Sequence, residues 1–264
     1  MPVDMNALAD DVAAETFVLR GLVSDLKDAE WRLETPAVGW TVADQIGHLA
    51  YFDDAAVQAA TEPDAFRDEM AKVQAAGGAD PEAIADDYRA MPASDVLAWF
   101  DESRARLLEV FRDLDPSLRV PWFGPPMSAA SALTARLMET WAHGQDIADA
   151  RGVVRGATDR LRHVAHIGVG ARAFSFAAHG RPAPESPVRV ELTSPTGDVW
   201  TWGPTDATDR VTGSALDFCL VVTQRRHLDD TALSVTGDGA ADWMAIAQAF
   251  AGPPGAGRLP GQFG

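Results

Sequence analysis

Three side chains of this sequence are of types that bind metal ions in proteins. Glu139 and His143 are four residues apart, and His48 is distant from them in the chain. Residues four apart project from one face of a helix, so a carboxylate and an imidazole there can bind one ion without backbone strain. His48 would add a third ligand from another helix. Two histidines and one carboxylate form an open, catalytic type of zinc site, whereas structural zinc is usually closed by four ligands rich in Cys. Because Cys219 is the single cysteine of the chain, a structural zinc module is disfavoured.

The spacing by itself is a weak signal, because Glu and His four residues apart form exposed pairs on many helices. The flanking residues favour burial, since most positions between Met127 and Ala150 are apolar or small, and a buried carboxylate needs a partner or a metal. His48 lies in a segment that opens with Thr41-Val42-Ala43-Asp44, which is similar to a capping box at a helix start. The alternative interpretation of His48 is a core histidine bonded to a carbonyl.

Two segments, Trp40 to Leu49 and Glu139 to Asp146, resemble the mycothiol-dependent maleylpyruvate isomerase family within the DinB-like superfamily. A third segment, Gly213 to Arg225, followed by Leu233 to Asp238, resembles the C-terminal domain of that family. The resemblance therefore covers nearly the whole chain. It implies an α+β protein with an N-terminal DinB-like four-helix bundle that binds a divalent metal, and a smaller C-terminal α+β domain of the sterol-carrier-like type.

The resemblance also implies roles for particular residues. Matched position by position, His48 on the second helix and Glu139 and His143 on the fourth would bind the metal, with zinc as the expected ion. Many DinB-like relatives have a third His where this chain has Glu139, and the Glu variant is associated with the isomerase branch. Arg225 falls where the family has an Arg directed at the cleft between its domains, where it would neutralise a substrate carboxylate or phosphate. Its alternative role is surface charge at a helix end.

The function implied by the resemblance is a metal-dependent, mycothiol-using isomerase or transferase that acts on a small electrophilic acid or acyl substrate. The metal would bind the thiol in its open position and favour the reactive thiolate. One alternative is a metal-dependent hydrolase or lyase, in which the same ligands activate water. The other is a non-catalytic protein that binds a small molecule on the apolar surface of its C-terminal domain, including Trp200 and Trp202. Substrate, metal identity and oligomeric state stay open.

Composition is that of an ordinary soluble globular protein, with 264 residues, of which 47% are hydrophobic and 23% charged. The net charge of −17 disfavours nucleic acid as a partner, because phosphate binding needs clustered Lys and Arg. No apolar run approaches the ~20 residues of a membrane span, and the N-terminus lacks the pattern of a signal peptide. We therefore expect a cytoplasmic protein with a small-molecule substrate. The acidic pairs at 10–11, 53–54 and 86–87 are interpreted as solvated helix faces.

The first domain, residues 1–157, is expected to be helical throughout. Apolar residues at three- and four-residue spacings predict four bundle helices at about 6–30, 41–60, 94–113 and 128–152. The polar region 62–92, interrupted by Gly77-Gly78, predicts short helical pieces that border the metal site and act as a lid. The proline-rich segment 121–126 predicts a rigid approach to the fourth helix.

The second domain, residues 158–264, shows the first strand pattern of the chain. Alternating apolar and polar residues at 188–193, a Pro195-to-Asp198 turn and the run 199–202 predict a hairpin. Further strands are expected at 209–212 and 232–236, all antiparallel, with helices at about 158–178, 214–226 and 240–250. The segment 252–257 is too rich in Gly and Pro for regular structure.

Four other side chains are candidates for lesser roles. His163 and His166 have the spacing of a second ion site, although no Cys or cluster of acids lies near them in the sequence. Gln145 and Asp146 are candidates to orient His143 or a bound water. Cys219 lies in an apolar helical run, which is typical of an inert buried thiol.

Overall fold

The computed structural model of the protein describes residues 3–75 and 81–263. The chain divides into two compact units, Met1–Val154 and Arg155–Gly264. The first unit is helical apart from two very short strands, and the second combines helices with a four-stranded sheet, so the predicted α+β class is confirmed. Within the described ranges, every helix is too short or too polar to cross a bilayer.

The described residues of the first unit form six α-helices and one short hairpin. Its elements are α1 (Met5–Gly21), α2 (Val42–Thr61), α3 (Pro63–Ala75), α4 (Pro81–Arg89), α5 (Ala93–Arg112), β1 (Arg119–Val120), β2 (Met127–Ser128) and α6 (Ala129–Arg151). Helices α1, α2, α5 and α6 pack against one another as the predicted four-helix bundle. Their shared apolar core includes Leu19, Trp31, Ile46, Leu49, Phe100 and Ile147.

The two helices that carry the candidate ligands begin and end where the sequence predicts. At the start of α2, Thr41 Oγ1 accepts from Asp44 N at 3.3 Å, and Thr41 N donates to Asp44 Oδ2 at 2.8 Å, which completes the predicted capping box. Ser128 caps α6 by accepting from the Ser131 amide at 3.1 Å. Gly152 ends α6 with a φ of 64°, a conformation that glycine adopts without steric cost.

The first helix is shorter than its apolar pattern predicts. Helix α1 ends at Gly21, whereas the spacing of apolar residues continues to Leu26 and suggested an end near Glu30. Leu22 and Val23 are buried in the bundle core and Leu26 packs against it, although the backbone has already left the helix in a series of turns. Burial therefore maintained the pattern beyond the end of the helix.

The region between α2 and α5 forms short helices, as predicted. The expected break at Gly77-Gly78 lies outside the described residues. The approach to α6 is the loop of the β1–β2 hairpin, in which Arg119 pairs with Ser128.

The second unit contains four helices and a sheet among its described residues. Its elements are α7 (Leu161–Gly170), α8 (Arg172–Ala178), β3 (Val188–Thr193), β4 (Val199–Trp202), β5 (Asp209–Ser214), α9 (Ala215–Val222), β6 (Ser234–Thr236) and α10 (Asp238–Met244). The predicted helix over 158–178 is two helices, interrupted at Ala171. The last helix begins two residues earlier than expected and ends at Met244 rather than near Phe250.

The sheet corrects the expectation that all strands are antiparallel. Its order is β4-β3-β5-β6, and β3 pairs parallel with β5, from Val188 opposite Asp209 to Thr193 opposite Ser214. The predicted hairpin of β3 and β4 is present and antiparallel. Because β4 occupies the outer side of β3, the chain returns to the other side and enters β5 in the direction of β3.

Helix α9 stops before Arg225 because its last turn closes in a left-handed conformation. Gln224 has a φ of 60°. Its amide donates to Val221 O at 2.9 Å, and the Arg225 amide donates to Leu220 O at 2.7 Å, which is the pattern of a Schellman motif. The helix predicted to reach Arg226 therefore ends at Val222.

Candidate functional site

The three predicted ligand residues lie together in the first unit. His48 projects from α2, and Glu139 and His143 project from α6. One ligand-type atom from each lies within 4.8 Å of the other two, and the imidazole centroids of His48 and His143 are 4.5 Å apart. His143 is buried, while His48 and Glu139 are half-buried. Across residues 3–75 and 81–263, this is the one group of three or more His, Cys, Asp or Glu side chains with such geometry.

Helix α4 packs directly on the turn of α2 that carries His48. A Cβ atom at Gly47 would lie 2.5 Å from Cδ2 of the Tyr88 ring, so the close approach of α4 requires glycine there. Arg89 of α4 also donates to Asp44 at 2.9 Å, beside the start of α2. The prediction that short helices border the candidate site therefore holds for α4.

A chain of hydrogen bonds fixes the orientation of His143. Thr35 Oγ1 donates to Trp40 O at 2.8 Å, so its oxygen is left as an acceptor. Gln45 Nε2 donates to that oxygen at 2.8 Å, which orients the amide so that Gln45 Oε1 meets His143 Nδ1. An amide oxygen only accepts, and Nδ1 of His143 must therefore carry the proton.

The other nitrogen of His143 faces the carboxylate of Glu139. Nε2 lies 3.1 Å from Glu139 Oε2, which is hydrogen-bonding distance. With the first proton of the ring committed to Gln45, a neutral His143 and an ionised Glu139 would present two lone pairs to each other. A second proton on the imidazole or a bound cation is required between them.

Glu139 is held in its ionised form. Burial acts to raise the pKa of its carboxyl, but the hydrogen bond from His143 and the charges of His143, His48 and Arg136 outweigh burial and lower the pKa from 4.5 to about 2. The site therefore offers a full negative charge beside two imidazoles.

Aromatic rings surround the two histidines. The Trp40 ring stacks on His143 with centroids 5.9 Å apart and meets His48 edge-on at 5.1 Å. Phe52 lies 4.5 Å from His48 and contacts Trp122 and Phe123 in turn. These side chains limit rotation of the imidazoles and give the site an apolar wall.

A second buried polar cluster lies on the same helices, and it corrects the prediction that Asp53 belongs to a solvated face. Asp53 is fully buried, and its two oxygens accept from Arg104 Nε at 2.6 Å and Arg136 Nε at 2.8 Å. Arg136 also donates to Leu49 O at 3.1 Å, and Arg104 to Thr140 Oγ1 at 3.0 Å. The neighbouring Asp54, part of the same predicted solvated face, is partly exposed and pairs with Arg106 at 2.7 Å.

The signal for Asp53 was present in the sequence, whereas the signals for Gln45, Thr35 and Trp40 were not. Asp53 follows Ile46 and Leu49 at helical spacing and so belongs to the buried stripe of α2. Gln45 and Thr35 act through a contact between a loop and two helices, which no local pattern reports.

Gln145, one of the two residues predicted to orient His143 or a bound water, bonds to another residue of its own helix. Gln145 Nε2 donates to Asp149 at 2.8 Å, along the same helix, and Asp146 is fully buried. The group that meets His143 Nδ1 is Gln45.

The candidate residues of the second unit have individual environments. Arg225 is half-buried and its Nη1 donates to Thr223 O at 2.6 Å. His166 Nδ1 accepts from Trp202 Nε1 at 3.3 Å. Trp200 is only 7% exposed. Cys219 is buried and its pKa is raised by that burial, in agreement with the predicted inert thiol.

Comparison with known proteins adds family matches and whole-chain relatives. The family model described as the mycothiol maleylpyruvate isomerase N-terminal domain matches residues 12–148, and a model described as wyosine base formation matches residues 184–236. Two Mycobacterium tuberculosis proteins, Rv0036c of strain H37Rv and MT0041 of strain CDC 1551, both named uncharacterized, are 47% identical over 259 residues, which is 97% of this chain and 99% of each relative.

Two crystal structures share the fold. The mycothiol-dependent maleylpyruvate isomerase superposes with a TM-score of 0.58 at 19% identity, and a histidine-to-alanine mutant of that enzyme with 0.57 at 18%. Each alignment covers 90% of this chain and 94% of the solved chain.

Proposed function

Because this chain belongs to the family that has the mycothiol maleylpyruvate isomerase N-terminal domain, we propose that it is a thiol-dependent enzyme with one divalent metal ion bound by His48, Glu139 and His143. The proposed reaction is isomerisation or thiol transfer on a small electrophilic acid or acyl substrate. The observation that supports the metal most strongly is the 3.1 Å approach of His143 Nε2 to Glu139 Oε2 while Nδ1 is committed to Gln45.

The donor set suits a borderline ion such as Zn²⁺. Two imidazole nitrogens and one carboxylate are common ligands of zinc, and three protein ligands leave a position for a further group. Metal-bound histidines usually donate their second N–H to an oxygen, as His143 does to Gln45. Glu139 brings a negative charge that a cation between the two helices would neutralise.

Each residue of the site has a defined task. A bound divalent ion would favour the thiolate form of a thiol placed beside it. Gln45 would keep the lone pair of His143 Nε2 directed at such an ion, and Trp40 and Phe52 pack against the two imidazoles and form an apolar wall on one side.

The sulfur is proposed to come from a separate molecule. The only thiol of the chain, Cys219, is buried, and its raised pKa keeps it protonated. Mycothiol is the expected cosubstrate, on the basis of the family. We further propose, from the family resemblance, that Arg225 neutralises a carboxylate or phosphate of the substrate.

The test measures metal and thiol binding together. The full-length protein, a His143→Ala variant and a matched His179→Ala control, changed at a histidine of the second unit, are stripped of metal, reloaded with Zn²⁺ and analysed for metal content. We expect about one ion per chain in the wild type and the control, and none in His143→Ala. No ion in the wild type would refute the metal site.

Thiol dependence is tested on the cobalt-loaded protein. Addition of mycothiol should produce a sulfur-to-cobalt charge-transfer band, because a soft thiolate binds the ion directly. A loaded protein that shows no band, but hydrolyses or eliminates from small acids without thiol, would instead be a hydrolase or lyase that uses metal-activated water.

A further inference from the structure

The Asp53 cluster, which consists of Asp53, Arg104 and Arg136, lies beside the candidate metal ligands on the same two helices. On α6, Arg136 is three residues before Glu139, and on α2, Asp53 is five residues after His48. Residues three or four positions apart are neighbours on a helix surface. A contact between the helices at the Asp53 cluster therefore affects their separation at the ligands.

Arg136 holds α2 at two points. Its Nε donates to Asp53 Oδ1 at 2.8 Å, and its Nη2 donates to Leu49 O at 3.1 Å. The two acceptors are about one turn apart on α2, and Leu49 is the residue next to His48. Arg136 is only 3% exposed, so both bonds are shielded from water. Because a guanidinium is planar and its donors have fixed directions, this one side chain of α6 sets both the distance and the register of α2.

A second polar contact joins the same helices on the other side of the ligands. Gln45 of α2 meets His143 of α6. Position 45 thus contacts position 143, and position 53 contacts position 136, so the two helices run antiparallel. His48 and Glu139 lie between these two contacts. The candidate site is therefore held from both directions along the helices.

Arg104 and Arg136 both donate to Asp53, but they differ in what else they do. Arg104 belongs to α5, which carries none of the candidate ligands, and its Nε donates to Asp53 Oδ2 at 2.6 Å. One guanidinium is enough to balance the charge of one carboxylate. The second guanidinium, of Arg136, adds the bond to Leu49 O and a positive charge that acts on Glu139. Since that charge would repel a bound cation, the benefit of Arg136 to a metal site is positional.

We propose that Arg136 is a positioning residue of the metal site, which keeps His48 at binding distance from Glu139 and His143 by holding α2 at two points. Supporting contacts of this kind strengthen metal binding, because they hold the ligands near the required geometry before the ion arrives. The inference rests on the metal site of the proposed function.

The first test uses Arg136→Gln in the full-length protein. The new amide nitrogen takes the place of Nε, which donates to Asp53, whereas the bond to Leu49 O is lost and Asp53 keeps Arg104 as its partner. We expect the zinc affinity, measured by competition with a chelator, to fall about 10–100-fold, as it does when outer partners of metal ligands are removed. Loss of a positive charge alone would strengthen zinc binding, so a decrease reports on position.

The matched control is Arg104→Gln, which removes the other guanidinium of the same cluster and leaves Asp53 paired with Arg136. It should lower the free energy of unfolding but leave the zinc affinity close to that of the wild type. The absorption bands of the cobalt-loaded proteins report the geometry of the ligands. These bands should change in Arg136→Gln and not in Arg104→Gln, whereas a merely structural role would lower stability in both variants and leave both spectra unchanged.

Arg136→Lys guards against misfolding of Arg136→Gln. It keeps the positive charge, and a single ammonium nitrogen replaces the two nitrogens that hold α2. Its zinc affinity should also fall at least about tenfold. A variant that is unfolded in buffer is measured in trimethylamine oxide, which favours the folded state.

The inference is overturned if either folded variant of Arg136 binds zinc as tightly as the wild type and has the same cobalt spectrum. A wild-type protein that binds no zinc would instead refute the metal site itself, and this inference with it.

Discussion

Two buried polar clusters lie on the same pair of helices and differ in how their carboxylates are paired. In the cluster of Asp53 of α2, Arg104 of α5 and Arg136 of α6, each carboxylate oxygen has a guanidinium donor, and further N–H groups of the two arginines donate to Thr140 Oγ1 and Leu49 O. The carboxylate therefore needs no further cation.

In the cluster of His48, Glu139 and His143, the carboxylate faces an imidazole nitrogen instead of a guanidinium group. The hydrogen bonds at its edge run from Trp40 O through Thr35 and Gln45 and end at His143 Nδ1. At its centre, a nitrogen and a carboxylate oxygen face each other across 3.1 Å and need a proton or a cation between them. A buried carboxylate paired with guanidinium groups supports the fold, whereas a nitrogen and a carboxylate oxygen that face each other between two helices are typical of a cation-binding site.

The largest effect that distinguishes the two clusters is expected for Asp53→Ala. Removal of the carboxylate leaves two buried guanidiniums unpaired, and loss of one partner from a buried ion pair costs about 3–5 kcal/mol. The neighbouring Asp54→Ala, which removes an exposed pair and one hydrogen bond from Trp99, should cost about 1 kcal/mol. Urea unfolding measures both. Equal costs would mean that the Asp53 cluster is not the structural one.

The metal-free site should show a distinct acid response through Glu139. Its pKa in the folded protein, about 2, is below the ordinary value of 4.5, so its stabilising contribution is present above pH 4.5 and is lost as the pH falls toward 2. The full difference corresponds to about 3 kcal/mol. The free energy of unfolding of wild type and Glu139→Gln, measured after chelation, should converge over this range. A constant difference would contradict the ionised state of Glu139.

Zinc should stabilise the folded protein through the cluster of His48, Glu139 and His143 and not through the Asp53 cluster. Zinc at about 100 times its Kd raises the free energy of unfolding by about 2.7 kcal/mol when only the folded state binds it. We expect this gain in the wild type and none in His143→Ala, as measured by unfolding with and without zinc. An equal gain in His143→Ala would place the metal elsewhere.

The smallest effect is expected for Gln45, which holds His143 from the edge of the proposed metal site. Gln45→Leu removes the oxygen that accepts from His143 Nδ1, and loss of such an outer partner weakens metal binding about 10–100-fold. Gln145→Leu is the matched control, since this amide is also buried and donates along α6, to Asp149. Competition with a zinc chelator measures both affinities. A loss of the same size in both variants would mean that Gln45 does not orient His143.

The sequence alone was sufficient for the helices that carry His48, Glu139 and His143, because capping residues and helical spacing are local signals, whereas metal binding by these side chains stays a prediction. His48, Glu139 and His143 depend on two well-capped helices, α2 and α6, whose ends appear at the predicted positions. The end of α1 was missed because buried residues continue the apolar pattern after the helix has stopped.

The Asp53 cluster, and the hydrogen bonds from Thr35 and Gln45 to His143, depend on contacts between distant segments of the chain. Asp53 meets Arg104 and Arg136, which are 51 and 83 positions away, so its interpretation as a solvated acid was wrong although its helical spacing placed it inward. The parallel pairing of β3 and β5 was likewise set by the strand order of the folded sheet, which alternation of residues does not report.

In the proposed metal site, the approach of His143 Nε2 to Glu139 Oε2 would make metal uptake an exchange reaction. A proton and a metal ion compete for the same space, so each ion that binds where the proton resides releases it to the buffer. The calorimetric enthalpy of zinc binding then varies with the ionisation enthalpy of the buffer, and the apparent affinity rises with pH. Thr35, through Gln45, determines which imidazole nitrogen takes part. A hydroxyl in the loop before α2 thus selects the nitrogen of His143 at which a proton and a metal ion would compete.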